Sequence, residues 1–325
     1  MITFDSETPS LFRFELFVQA GFSELELASV TETLQIANGL GSADRFSWNF
    51  ISDQPGMVKG SAGMLVQAGP AIPDHMLADW MIVIGAKRQQ PEVWLKRLRS
   101  MQRNNLGVAL LSSAATAYIR HTKKTAGAVT THWRDFHVLS ETGDYPQLTS
   151  RLSENSGGVV TSAGAASTAE LVIALIAEQL APHEVAELGN HLLVQTIRNN
   201  RTEQPKAISD HQSLFADKIG QTIRLMEESI DEPMPVSELS KAINLSVRQL
   251  ERQFQSVLKT SPSRFYKQLR LKRARLLLDQ TQMSLAEISV ATGFSSTGIL
   301  SKAFRDEYGE SPMKSRARTE IRLMD

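Results

Sequence analysis

Apolar positions along the chain follow two regimes. Up to about residue 180, short apolar runs alternate with segments in which apolar residues recur every three or four positions. FRFELFVQA (12–20), WNFIS (48–52), ADWMIVIG (78–85) and LGVALL (106–111) predict strands. The last two are nearly continuous in apolar character, as parallel strands buried on both faces are. Between them, SELELASVTETLQIAN (23–38) and PEVWLKRLRSMQRN (91–104) predict helices, with Ser23 placed to cap the first. GGVVTSAGAASTAELVIALIAEQL (157–180) predicts a short strand, a glycine-containing turn and an apolar helix. This alternation is the rhythm of βαβ units and predicts a doubly wound α/β domain.

Beyond about residue 205 the pattern is helical and repeats. At an offset of 49, VSELSKAINLSVRQL (236–250) lies on LAEISVATGFSSTGI (285–299), pairing Leu239 with Ile288, Asn244 with Gly293, Ser246 with Ser295 and Leu250 with Ile299. An apolar helix, a turn and a second capped helix, repeated, predicts two helix-turn-helix units, about 236–258 and 285–308, in an all-α domain. Asn244 and Gly293 sit at the turns, where positive φ is best tolerated. Ser246 with Gln249 and Ser284 with Glu287 have capping-box spacing. Ser261 and Pro262 open a long helix between the units, whose expected apolar stripe is Phe265, Leu269, Arg273 and Leu276. Ser311 and Pro312 open a final helix after Gly309.

Composition sharpens this division. A chain of 325 residues, 42% hydrophobic and 22% charged, suits two folded domains, and no run approaches about 18 consecutive apolar residues. No membrane span is expected. The segment MITFDSETPSLFRF has acids and no basic lead before an apolar stretch, so a cytoplasmic location is expected rather than secretion. The formal net charge of zero conceals an asymmetry. Residues 1–205 hold 16 basic and 20 acidic side chains, whereas residues 241–318 hold 15 basic and 6 acidic. A basic module is therefore joined to an acidic body, with RNNRTEQPKAISDH (198–211) as the expected linker. The expected domains are 1–205 and 206–325.

The sequence has no cysteine, which excludes disulfides, thiolate metal sites and a thiol nucleophile. HEVAELGNH (183–191) spaces its two histidines eight apart rather than four, so a solvated helix is expected and no metal site. GLGSADR (39–45) lacks the spacing of a phosphate-cradling loop. No cofactor is expected.

The stretches LSVRQLERQFQSVLKTSPSRFYKQLRLKRARLLL and MSLAEISVATGFSSTGILSKAFRDEYGESPMKSR make residues from about 214 to 318 resemble the AraC/XylS DNA-binding domain, a likeness covering about a third of the chain. The resemblance implies two recognition helices entering successive major-groove segments of promoter DNA. Carried onto this chain, the first would present Ser246, Val247, Arg248, Gln249 and Arg252, and the second Ser295, Ser296, Thr297, Gly298, Ser301, Lys302 and Arg305. Arg and Gln suit bidentate contacts to guanine and adenine edges. Gly298 and Ile299 are bare or apolar for a reading helix, so the first unit is expected to dominate direct readout. Arg273 and Arg275 are expected to be structural or phosphate-facing.

An α/β domain ahead of such a module resembles the GlxA-type transcription regulators, whose N-terminal half is similar to PfpI-type proteins and class I glutamine amidotransferases. The carrying stretches are GFSELELASVTETLQIAN, LGVALLSSAATAY, TTHW and VVTSAGAASTAELVIAL. Catalytic relatives present a Cys at a strand-to-helix elbow. Aligning that elbow puts Leu111 at the nucleophile position with Ser112 and Ser113 after it, so a site without catalysis is expected.

What survives is a crevice at the carboxyl ends of the strands, with Phe22, Glu26, Leu111, Ser112, His132 and Trp133 as candidate lining for a small-molecule effector. Glu26 would pair with a cationic ligand or sit at a helix surface. The resemblance implies a small nitrogenous metabolite, quaternary ammonium or amino-acid-like, together with activation through RNA polymerase and a homodimer. Two other readings remain open on the sequence. One is a PfpI-like hydrolase or lyase fused to a DNA-binding domain, using Ser112 with His132. The other is a regulator whose N-terminal domain only dimerises.

Overall fold

Two core layers flank a single sheet in the first part of the chain, and the reason lies in the strands themselves. In the computed structural model, which describes residues 11–72, 74–86, 89–143, 145–194, 197–198, 202–205 and 217–317, alternate residues of each central strand enter opposite cores. Phe14, Leu16, Ile82, Ala109 and Val160 face one side, and Phe17, Met81, Val83, Val108, Leu110 and Val159 the other. The near-continuous apolar runs are thus two period-2 patterns interleaved, as burial on both faces requires.

The elements in chain order are β1 (Phe12–Phe17), α1 (Glu24–Gly39), β2 (Phe46–Ser52), β3 (Gly56–Lys59), β4 (Leu65–Pro70), β5 (Trp80–Val83), α2 (Pro91–Arg103), β6 (Gly107–Leu111), α3 (Ser113–Thr122), β7 (Val129–Thr130), α4 (Trp133–Thr142), β8 (Leu148–Thr149), β9 (Ser153–Ser156), β10 (Val159–Ser162), α5 (Thr168–Ile176) and α6 (Pro182–His191). The main sheet runs β3-β4-β2-β1-β5-β6-β10-β9, while β7 and β8 form a separate parallel pair. Within the main sheet β4, β2, β1, β5, β6 and β10 are parallel, with β3 and β9 added antiparallel at the edges. The chain leaves β1 toward β2 on one side and returns to β5 on the other. The strand order therefore reverses between β1 and β5, the place where open α/β sheets characteristically form a crevice beyond the carboxyl ends of their strands.

One charged pair is built into this core. Glu15, the acid inside β1, is 1% exposed and Arg97 of α2 is 3% exposed. Arg97 Nε donates to Glu15 Oε1 at 2.6 Å, and the same guanidinium donates to the carbonyls of His75 and Met76 at 3.2 Å. The pair ties strand, helix and the loop before β5 together, and removing one partner leaves a buried charge uncompensated.

The chain divides into two units, residues 1–204 and 205–325. The second contains α7 (Asp217–Glu228), α8 (Val236–Ala242), α9 (Val247–Val257), α10 (Pro262–Gln280), α11 (Leu285–Ala291), α12 (Thr297–Tyr308) and a final helix, α13, over 312–317. Most of the expected linker, residues 199–201 and 206–211, lies outside the described residues, as does the segment 1–10.

The second unit holds two small cores joined by α10. Tyr266 and Leu269 enter a cluster with Leu239, Leu250 and Phe254, whereas Leu271, Ala274, Leu277 and Leu278 enter one with Ile288, Leu300 and Phe304. Because the two halves of α10 bury different faces, the expected series Phe265, Leu269, Arg273 and Leu276 is not one buried stripe: Leu269 is buried and the other three are half-exposed. The caps match the local spacing. Ser261 Oγ accepts from Arg264 N, and Ser246 with Gln249 and Ser284 with Glu287 form reciprocal capping boxes. Asn244 and Gly293 have φ of 57° and 67° at the two turns.

Candidate functional site

At the crevice, β6 ends and α3 begins on Ser112, whose φ of 38° and ψ of −109° lie outside the regions that L-residues favour. Such a conformation costs about 1–3 kcal/mol and persists only where surroundings over-determine it. Here they do. Ser112 N donates to Ser162 O at 2.9 Å, and Ser112 O accepts from Thr131 Oγ1 at 2.9 Å and from Thr116 N at 3.1 Å. Thr116 is held in turn by Thr131 and by Asp135 Oδ2, each at 2.6 Å. The next residue, Ser113, clamps the end of β5 by accepting from Ala86 N at 2.9 Å and donating to Ala86 O at 2.8 Å.

The apex of the elbow is therefore Ser112, not Leu111. Leu111 is the last residue of β6, fully buried in the core with Ile84 and Leu171, and it lines no crevice. Phe22 is likewise fully buried in that core. Glu26 departs from both expectations. It is 2% exposed, so it is not at a helix surface. Its carboxylate accepts from Gly85 N at 2.9 Å and from Ala165 N at 3.0 Å, so it joins the loops after β5 and β10 rather than waiting for a cation.

Two glycines make this arrangement possible. A Cβ on Gly85 would collide with Ser112 Oγ and stand 2.8 Å from Glu26 Oε2, and one on Gly164 would collide with Glu26 Oε1 and stand 2.9 Å from Ser112 Cβ. Glu26 and Ser112 thus share one small volume, although Ser112 Oγ has no hydrogen-bond partner among the described residues. Sequence reading missed Gly85 and Gly164, whose signal was a glycine two residues past the end of each strand.

His132 caps α4: its Nδ1 accepts from Arg134 N at 3.3 Å. Burial holds its imidazole below the ordinary histidine range, with Asp135 opposing and Arg134 reinforcing. The rings of His132 and Trp133 are half-buried, with centroids 5.6 Å apart. Thr131 brings the segment before α4 to the elbow carbonyl, and the structure places no hydrogen bond between Ser112 and His132. In α6, Glu184 pairs with Arg45 at 2.8 Å and caps Ala181 N, and its pKa falls to about 2 chiefly through the Arg45 hydrogen bond. His183 and His191 are exposed, and no group of three ligating side chains gathers among the described residues.

In the second unit, burial sets the register of the repeat. Leu250 and Phe254 fix α9 on its core, and Leu300 and Phe304 fix α12 on the other. The caps agree, since Ser246 and Ser296 each accept from the amide three residues on. The offset is 49 through the first helix and turn but 50 through the second helix, with Ser295 the additional residue. This corrects the pairing of Leu250 with Ile299: Leu250 corresponds to Leu300, Arg248 to Gly298, Gln249 to Ile299 and Arg252 to Lys302.

On α9, Ser246, Val247, Arg248, Gln249 and Arg252 are exposed. Gln249 is less free than the sequence suggested, because its Oε1 accepts from Ser246 N and Ser246 Oγ at 2.9 Å, so a bidentate base contact would first break the cap. On α12, Thr297, Gly298, Lys302 and Arg305 are exposed after Ser295 and Ser296, while Ser301 is half-buried. The side chains of Arg248, Arg252, Lys302 and Arg305 form no ion pair or hydrogen bond with described residues.

Three other cations of this unit are structural. Arg270 donates to the carbonyls of Thr292 and Gly293 at the second turn and lies 4.2 Å from the Phe294 ring centroid. Arg316 donates to Leu278 O and Met283 O, and Arg275 stacks on Tyr308 at 4.8 Å.

Against known proteins, residues 239–318 match a family model described as a helix-turn-helix domain. The HTH-type transcriptional regulator CdhR of Pseudomonas aeruginosa is 30% identical over 91% of this chain and 89% of its own length. The HTH-type transcriptional regulator GlxA of Rhizobium meliloti is 24% identical over 97% of this chain and 98% of its own. Among solved structures, oxidized DJ-1 of Toxoplasma gondii is 16% identical, covers 57% of this chain and all of its own, and superposes with a TM-score of 0.47.

Proposed function

The chain belongs to the GlxA-type, AraC-family transcriptional regulators, and on that premise we propose that it is an effector-responsive activator whose second unit reads promoter DNA. The observation that carries the reading is the outward faces of α9 and α12. Both helices are pinned by apolar residues, and both turn unpartnered cations to solvent in the most basic part of the chain. Phosphates would draw those cations with a salt-dependent affinity, while Arg248 and Arg252 supply base-edge donors.

The first unit acts as sensor. A small nitrogenous metabolite, quaternary ammonium or amino-acid-like, binds at the crevice with Ser112 Oγ as hydrogen-bonding anchor and the His132 and Trp133 rings as its π surface. Glu26 takes no part in the charge pairing, because two backbone amides already occupy its carboxylate. The effector need only prefer one arrangement of a cytoplasmic homodimer by a few kcal/mol to alter promoter occupancy or contact with RNA polymerase. Among the described residues no helix is long and apolar enough to cross a membrane.

A hydrolase reading draws on one observation, the strained Ser112 whose Oγ has no hydrogen-bond partner among the described residues. It requires a proton acceptor that reaches Oγ, and the nearby carboxylate of Glu26 is committed to amides. A thermal-shift screen of the full chain against nitrogenous metabolites, with each hit recovered and analysed, separates the readings. A stabilising compound recovered unchanged supports the sensor. A compound consumed by the protein, with turnover lost in Ser112→Ala, replaces the sensor with an enzyme.

A further inference from the structure

The second reading helix carries two residues that the protein's own architecture does not require. Ile299 is 53% exposed although the adjacent Leu300, with Ala303 and Phe304, already anchors α12. Gly298 is exposed inside the first helical turn, and a Cβ there would meet only Ser296 Oγ, at 3.9 Å. Apart from proline, glycine is the residue that least favours a helix, and no internal contact explains it here. Its bareness therefore serves something that approaches from outside. At helical spacing Gly298, Lys302 and Arg305 form one outward stripe with Ile299 beside it. The occupant must be a polyanion that also offers an apolar contact close to the helix backbone. The major groove of DNA is such a surface, because thymine alone among the four bases presents a C5-methyl group there.

We propose that α12 reads its DNA segment by packing Ile299 against the C5-methyl of a thymine, with Gly298 admitting the helix backbone to the groove and Lys302 and Arg305 fixing it on phosphates. This rests on the DNA-binding reading above and specifies how its second unit discriminates. The two helix-turn-helix units then use different chemistry: hydrogen bonding from Arg248 and Arg252 in the first, methyl contact in the second.

The test uses full-length protein and a duplex that it enriches from a random-sequence pool. Each thymine is replaced in turn by deoxyuridine, which keeps base pairing and loses only the methyl group. At one or two positions the replacement should weaken wild-type binding about fourfold, the effect of one buried methyl-sized group. Ile299→Ala should weaken binding to the thymine duplex to a similar degree and be indifferent to deoxyuridine at that position. Gly298→Ala should weaken binding while leaving thermal stability equal or higher. Far-ultraviolet circular dichroism confirms that each exposed-site variant is folded. If the pool enriches a sequence and no deoxyuridine position distinguishes wild type from Ile299→Ala, the proposal is wrong and DNA binding stands. If no sequence is enriched, the DNA-binding reading itself fails and this inference with it.

Discussion

The helices α9 and α12 are built alike on the inside and differently on the outside. Each starts at a serine cap and buries an apolar residue four and eight positions later, Leu250 and Phe254 in one, Leu300 and Phe304 in the other. Their outward second and third positions are Arg248 and Gln249 in α9 but Gly298 and Ile299 in α12. Repetition of the inside preserves how a helix is held. Divergence of the outside changes what it can touch, because solvent-facing positions carry no packing constraint.

The largest effects should come from the shared inside. Leu250→Ala and Leu300→Ala should each destabilise the second unit by about 2–5 kcal/mol in denaturant unfolding, whereas Ile299→Ala should change stability by no more than about 0.5 kcal/mol. The reverse ranking of Leu300 and Ile299 would restore the uniform offset of 49 and undo the comparison.

Next come the faces. Arg248→Ala should cost about 1–3 kcal/mol of DNA binding and relax base preference at one position, while Lys302→Ala should weaken binding evenly and lower the salt slope by about one. Competition titrations at several salt concentrations measure both. Equal loss on every sequence for both variants would erase the distinction between reading and anchoring.

The caps should matter less. Ser246→Ala removes two hydrogen bonds, Gln249 N to Ser246 Oγ and Ser246 Oγ to Gln249 Oε1, and Ser296→Ala removes one, so the first should cost more within the range of about 0.5–2 kcal/mol, as read by thermal unfolding. Equal costs would show that the bond from Ser246 Oγ to Gln249 Oε1 adds nothing to the cap.

The smallest effect separates the units by pH. The box at α11 uses Glu287, whose pKa is lowered from 4.5 by hydrogen bonds from Ser284, whereas the box at α9 uses Gln249, which does not titrate. A lowered folded pKa means stability that is complete above the ordinary carboxylate value and is lost as pH falls through the folded one. Amide exchange in α11 should therefore accelerate relative to α9 below pH 4.5. Exchange that is independent of pH in both helices, after correction for intrinsic rates, would contradict the capping role of Glu287.

Much of this molecule was legible without a structure. The capping boxes, the Ser261–Pro262 helix start, the turns at Asn244 and Gly293 and the interleaved apolar strands depend on residues a few positions apart, and local sterics and hydrogen bonding decide them. The two adjacent serines at 295 and 296 were locally equivalent as caps. Only the packing of Leu300 and Phe304 against α10 selected Ser296 and moved Ile299 to the surface. The crevice was less legible still. That Ser112 rather than Leu111 stands at the apex, that Phe22 turns into the core, and that Glu26 is consumed by Gly85 and Ala165 all follow from contacts between segments far apart in sequence. Neighbouring residues are enough to set which segments form elements and which side chains can cap, turn or carry charge. Which of those side chains remain free to act depends on long-range packing, because a buried polar group is bound by whichever distant partner satisfies it.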